Sequence, residues 1–206
     1  MYWEKDVETM DRSALAVLQL RRLNETLKQA GRSAFYGKRF AAGAGTPANA
    51  GTPANAGTPA VASVELSDLE QLRELPFTQK DDLRNAFPYG FLTVDLEKVI
   101  RLHSSSGTTG NPTVVFHTPD DIDHWGNLIA RCMYTTGVRK QDVFQNMMGY
   151  GLFTGGLGFH YGAEKLGVMT IPIGPGNSRR QIWFLKHLKT TVIHIRPSYA
   201  LRLYSF

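Results

Sequence analysis

The sequence holds a single cysteine, Cys132, among 206 residues. An intrachain disulfide is therefore excluded, as is a zinc site built from paired cysteines, and the composition suits a reducing cytoplasm. Long apolar runs are missing too: no stretch approaches the roughly 18 consecutive apolar residues of a membrane-spanning helix. The opening MYWEKDVETMDR is acidic and lacks an apolar centre, so it does not read as a secretory signal. Charge of one sign is nowhere concentrated. The net charge is +5, yet Lys and Arg are scattered, with local pairs such as Arg179 and Arg180 but no run of five. A solvated surface accounts for that better than a nucleic-acid footprint. Two nucleotide fingerprints are also absent. A Walker A loop needs a wider gap between its glycines and then a lysine, whereas two residues separate Gly107 from Gly110 and Asn111 stands where the lysine would be. The dinucleotide pattern GxGxxG fails at its third glycine from both Gly149 and Gly156.

What is present is alternation. From Asp11 to Ala34 the apolar residues Leu20, Leu23, Leu27 and Ala30 recur at helical spacing, with Gly31 as a stop. Residues 44–60 read AGTPANAGTPANAGTPA, a hexapeptide repeated almost three times without a Val, Ile or Leu to stack into a core. Its regular prolines and small side chains predict a disordered insert over 44–62. Next, LPFTQKDDLRNAFP predicts a short helix with a capping box from Thr78 to Asp81, closed by Pro88. EKVIRLH and PTVVFH read as strands. Thr118, Pro119 and Asp121 open a helix with the stripe Ile122, Trp125, Ile129 and Cys132, ended by Gly137. Strands then begin near 142, 168 and 191. A helix lies in the second half of GYGLFTGGLGFHYGAEKLG, and a second, boxed by Ser178 and Gln181, spans RRQIWFLKHLK. Ser198 is read as the cap of a last helix. Strands alternating with helices mean βαβ units and a parallel sheet, so the fold class is α/β. Three parts follow: a helical segment over 1–43, the insert over 44–62 and an α/β domain over 63–206.

Between the first two strands lies SSSGTTGN. A Ser/Gly linker can look like this, and so can an anion cradle. Two glycines let the backbone reach positive φ and turn several N–H groups toward one point, a nest that suits phosphate oxygens. Ser and Thr hydroxyls add donors, and a hydrogen bond to a charged acceptor contributes roughly 1.5–3 kcal/mol. Spacing alone leaves both readings open.

The wording over a longer span carries more. SSSGTTGNPTVV, YGLFTGGLGFHYGAEKLG and IPIGPGNSRRQI, with DRSALAVLQLRRL and LPFTQKDDLRNAFPYG before them, resemble the phenylacetate–coenzyme A ligases. These belong to the adenylate-forming acyl-CoA synthetase superfamily. The resemblance covers nearly the whole chain outside the repeat, and it implies the N-terminal portion of that α/β fold. It implies a two-step reaction: ATP and an aryl-acetic acid give an acyl-adenylate and pyrophosphate, and coenzyme A sulfur then displaces AMP to give the thioester. The cofactors implied are ATP, Mg²⁺ and coenzyme A. The loop that holds ATP phosphates in the family maps onto Ser105, Ser106, Gly107, Thr108, Thr109 and Gly110. The stretch lining the aryl-acid pocket maps onto Met148, Tyr150, Gly151, Phe153 and Gly155. Tyr150 and Phe153 can give a ring a face, although aromatics beside a sheet also fill cores. His160 could approach the reacting carboxylate, but a lone histidine beside a helix is more often structural. Met148 stands where family members tend to carry an aromatic, which alters the pocket and puts phenylacetate itself in question. Such ligases are about twice this length by the same resemblance. The residues that hold adenine, ribose and Mg²⁺, and the lysine of the adenylation step, are expected beyond Phe206. No catalytic residue is assigned within the chain, and residues 1–206 alone are expected to be inactive. The expected partner is a small aryl acid, with no nucleic acid and no membrane, in a cytoplasmic protein for which a homodimer is one allowed state. The alternatives are a non-catalytic nucleotide- or acid-binding module and, behind it, a nucleic-acid-binding protein.

Overall fold

The computed structural model describes residues 2–43, 64–105, 112–152 and 154–206. The expected insert, loop residues 106–110 and Phe153 lie outside the described residues. The chain packs as two units: Met1–Glu8 joins His117–Phe206, and Thr9–Phe116 forms the other. Each has its own core.

The short helix α1 (Lys5–Glu8) belongs to the first unit. The second unit begins with α2 (Arg12–Ala30), whose N-terminus is capped by Asp11 accepting the Ala14 N–H at 2.9 Å. The helix ends at Gly31, the expected stop, and the Ser33 side chain then caps a separate helix, α3 (Ala34–Ala41), through the Tyr36 N–H. Leu27 of α2 and Phe40 of α3 are buried with Val64 and Leu66, and Leu20, Leu23 and Ala30 pack against them as the spacing predicts. Helix α4 (Lys80–Asn85) does carry a capping box, but one residue later than expected. Gln79 and Asp82 form it, while the Thr78 hydroxyl is taken by the Tyr36 phenol. Strands β1 (Arg101–Ser104) and β2 (Val114–His117) pair as a two-stranded sheet.

In the first unit, α5 (Pro119–Thr135) has the predicted cap. Thr118 Oγ1 accepts the Asp121 N–H at 3.3 Å, and the Asp121 carboxylate accepts the Thr118 N–H at 2.8 Å. Strands β3 (Val143–Asn146), β4 (Met169–Ile171) and β5 (Val192–His194) form one parallel sheet in the order β4-β3-β5. Phe144 registers with Thr170 on one side and with Val192 on the other. Helix α6 (Gly155–Leu166) connects β3 to β4, and α7 (Ser178–His187) connects β4 to β5. A final helix, α8 (Pro197–Tyr204), follows β5. Two caps differ from expectation. Asn177, not Ser178, caps α7, because its left-handed backbone (φ 47°) directs the side chain back to the Arg180 N–H. At α8 the proline at the first helical position takes the place of a capping side chain, and Ser198 already lies inside the helix.

The core of this unit gathers Phe144 with Ala130, Met133, Val138, Ala163, Leu166 and Val168. The buried line of α5 is Gly126, Ala130 and Met133. Ile122, Trp125 and Ile129 flank it half-buried, and Cys132, assigned to the stripe from spacing, is exposed. The reason is the partner helix. Gly158 and Gly162, one turn apart on α6, meet Trp125 and Ile129 so closely that a Cβ on either glycine would overlap them. This close approach turns the small residues of α5 inward. Helix α1 rests on the same helix: Trp3 Nε1 donates to Asn127 Oδ1 at 2.9 Å, and Glu4 pairs with Arg131.

Candidate functional site

Strand order reverses at β3. The chain leaves β3 for β4 on one side and returns to β5 on the other, and it is beyond the carboxyl end of the strand at such a reversal that open α/β sheets place their ligands. Met148, Tyr150 and Gly151, three of the five residues mapped to the aryl-acid pocket, follow β3 there. Met148 and Tyr150 are half-buried, Gly151 is exposed, and Gly155 opens α6 half-buried. Gly149 and Gly151 face open space. Gly156 is pressed against the Gly149 carbonyl, and Gly158 and Gly162 serve the α5–α6 contact. The glycine-rich wording thus has two origins, a crest with free space and a helix that must approach its neighbour.

Asn146 organises the crest. It is fully buried at the end of β3. Its Nδ2 donates to the Gly156 carbonyl at 2.7 Å, while its Oδ1 accepts the Met148 N–H at 3.2 Å and His194 Nδ1–H at 3.1 Å. Its backbone carbonyl accepts the Gly174 N–H at 3.0 Å. Below it lies a second buried amide pair. Gln145 Nε2 donates to Gln181 Oε1 at 2.8 Å, Thr190 Oγ1 donates to Gln145 Oε1 at 3.0 Å, and Gln181 Nε2 donates to the Gly174 carbonyl at 2.7 Å. Parallel strands are usually apolar throughout, so a Gln-Asn pair in DVFQNMM was the signal available in the sequence, and it was not used.

Around Asn146 the aromatic residues are held in fixed relations. The Tyr150 phenol lies 3.4 Å from His160 Nδ1, near the outer limit of a hydrogen bond, with the rings edge to face. His160 Nε2 in turn lies 3.0 Å from the Glu164 carboxylate. Burial pushes the Tyr150 phenol above its ordinary value; the nearby Asn146 amide opposes this, and the Glu164 charge adds to it. The phenol is therefore neutral across the physiological range. His160, ranked as structural from sequence, links the crest to α6. His194 is stacked on Phe159 with ring centroids 3.9 Å apart, and burial lowers its titration below the usual imidazole value. With Nδ1 donating to Asn146, the neutral ring presents Nε2 as an acceptor.

In the other unit, Ser105 closes the base of the hydroxyl-rich loop. Its N–H donates to the Thr113 carbonyl at 3.0 Å and its Oγ accepts the Thr113 N–H at 3.0 Å. Ser106, Gly107, Thr108, Thr109 and Gly110 lie outside the described residues. Among the described residues no group of three His, Cys, Asp or Glu side chains could hold a metal ion, so none here fits a complete Mg²⁺ site. Among the described residues no helix is long and apolar enough to cross a membrane.

The fold is that of an adenylate-forming CoA ligase. It matches 2-hydroxyisobutyryl-CoA ligase, crystallised with 2-HIB-AMP and CoA in the thioesterification state, at a TM-score of 0.83 and 27% identity, over 99% of this chain and 42% of that one. The same ligase in its postadenylation state with 2-HIB-AMP gives a TM-score of 0.82 at 26% identity, over 99% of this chain and 41% of that one. No protein-family model matches the sequence. Individual ligases narrow the class. Phenylacetate-coenzyme A ligase of Pseudomonas putida is 42% identical over 198 residues, 96% of this chain and 42% of that ligase. Its counterpart in Escherichia coli is 39% identical over the same share of each. That of Thermus thermophilus is 36% identical over 200 residues, 97% of this chain and 42% of the ligase. The chain is similar over almost its whole length to phenylacetate–coenzyme A ligases and spans about two-fifths of the length of these relatives.

Proposed function

We propose that this chain supplies the acid-binding crest and the phosphate loop of an ATP-dependent, AMP-forming ligase that converts an aryl-acetic acid to its coenzyme A thioester. The observation that supports the reading is positional. In a chain that aligns with phenylacetate–coenzyme A ligases over almost all of its length, Met148 and Tyr150 stand at the carboxyl end of the central parallel strand. Met148 offers a flexible, polarizable wall and Tyr150 an aromatic face with a neutral phenol. The hydroxyls and N–H groups of Ser105, Ser106, Gly107, Thr108, Thr109 and Gly110 would hold the phosphates of ATP. Gly151, Phe153 and Gly155 would complete the acid pocket. When bound, Mg²⁺ neutralises charge on those phosphates, and this part of the chain leaves its ligands to other residues. Adenylation makes the carboxylate oxygen a good leaving group, and coenzyme A sulfur then displaces AMP. A protein of this kind works in the cytoplasm, and a homodimer is compatible with it.

The test exchanges residues 1–206 for the matching 198-residue stretch of the Pseudomonas putida relative and measures pyrophosphate exchange and thioester formation. Phenylacetate and substituted aryl acetates are expected to support both reactions, with acetate poor. Gly107→Val is expected to abolish exchange in that protein, since a β-branched side chain resists positive φ and intrudes on the phosphates. Acetate as the best acid would remove the aryl reading. Undiminished exchange by Gly107→Val would remove the phosphate-loop assignment.

A further inference from the structure

The carboxamide of Asn146 can make four hydrogen bonds, two as donor and two as acceptor. Three of them have partners in the structure: Nδ2 donates to the Gly156 carbonyl, and Oδ1 accepts from the Met148 N–H and from His194 Nδ1. Two of these partners also fix which way the amide faces, because a flipped group would set its oxygen against the Gly156 carbonyl and its NH₂ against the Met148 N–H. Aspartate keeps the two acceptor bonds and loses the donor, leucine keeps the volume and loses all three, and glutamine carries the amide one methylene further out.

The position matters as much as the number. Asn146 ends the central strand, and its partners come from four places: the segment after β3, the first turn of α6, the end of β5 and, through its own carbonyl, the loop after β4. One partner, the Met148 N–H, belongs to a residue given to the wall of the acid pocket, and Tyr150 stands two residues further along the same segment, beside the open space at Gly149 and Gly151. We infer that Asn146 is a positioning residue of the aryl-acid site: by holding the Met148 backbone and the first turn of α6 it sets the course of the segment that carries Met148 and Tyr150, while never touching the acid itself. This rests on the reading of that site under Proposed function.

The experiment uses the 206-residue chain with labelled methionine methyl groups, Met148 being assigned by its loss in Met148→Leu, and titrates phenylacetate by NMR. Wild type, Asn146→Leu and Asn146→Asp are compared, each first shown to unfold cooperatively. In Asn146→Leu the Met148 methyl signal is expected to move and the Kd for phenylacetate to rise about tenfold or more, the equivalent of one or two net hydrogen bonds. Asn146→Asp, with two of the three bonds retained, should fall between leucine and wild type, a graded rescue that general loss of stability would not produce. A folded Asn146→Leu with wild-type affinity overturns the inference. If Asn146→Leu does not fold, Asn146→Asp decides alone, and wild-type affinity in that variant overturns it. If wild type shows no saturable binding of phenylacetate, the aryl-acid reading fails instead. The Met148 signal then decides for the amide: movement in the variants supports its positioning role and an unmoved signal overturns it.

Discussion

His194 carries its proton on Nδ1, where Asn146 accepts it, and burial disfavours the imidazolium relative to the ordinary value of 6.5. The folded state therefore takes up the second ring proton, on Nε2, less readily than the unfolded chain does. The contribution to stability is full above the unfolded value, and it is lost as pH falls from there toward the lower folded value. Urea unfolding midpoints measured between about pH 8 and pH 5 should fall for wild type. They should fall less for His194→Asn, whose side-chain amide can place a donor where Nδ1 stands. Equal losses in the two proteins would show that another group carries the acid sensitivity. Tyr150 behaves in the opposite sense: its raised phenol stays neutral, and nothing at the crest changes charge through it near neutrality.

The pairing of α5 with α6 depends on two glycines, and opposing effects can be ranked there. Replacing a helical glycine with alanine gains about 1 kcal/mol of helix propensity, while overpacking costs about 1–3 kcal/mol. At Gly158 the atoms nearest the new Cβ all belong to the Trp125 indole, a side chain and not backbone. At Gly162 it would meet the Ile129 Cβ and, at 3.0 Å, the backbone nitrogen of Ala130, which cannot turn away. Gly162→Ala is therefore expected to destabilise by about 1–2 kcal/mol net, and Gly158→Ala by less, read from chemical denaturation. A reversal of that order would mean that α5 yields more easily than its indole. Thr118→Ala, which removes the box at the start of α5, should cost about 1 kcal/mol by the same measurement.

At the scale of the whole molecule, a chain with two-fifths of its relatives' length carries the crest in one unit and the base of the hydroxyl-rich loop in the other. Adenylation requires acid, nucleotide and metal to be held in line, and displacement by ~1 Å can cost on the order of 100-fold. Among the described residues no cluster of metal ligands is present. Residues 1–206 by themselves are thus expected to release AMP from ATP, phenylacetate, Mg²⁺ and coenzyme A no faster than a protein-free control. Release at the rate of a relative would show that the other three-fifths of those ligases is dispensable for chemistry.

Periodicity and capping chemistry are local, and they were legible in the sequence. The three parallel strands begin within a residue of where alternation places them, and Thr118 with Asp121 forms the box it spells. Leu20, Leu23, Leu27 and Ala30 face one core because helical spacing allows no other common side. The resemblance to phenylacetate–coenzyme A ligases was likewise written in contiguous words. Choices among near-equivalent neighbours were not legible. Thr78 or Gln79, and Ser178 or Asn177, can each begin a helix, and a backbone angle or a distant tyrosine decided between them. Cys132 fits an apolar stripe by spacing alone, yet the close approach of Gly158 and Gly162 rotated the buried face of α5 past it. Asn146 and His194 lie far apart in sequence, and only the return of β5 beside β3 brings them to 3.1 Å. A hydrogen bond between distant residues leaves no periodic trace, so the amide that holds the crest together became visible only when the sheet had formed.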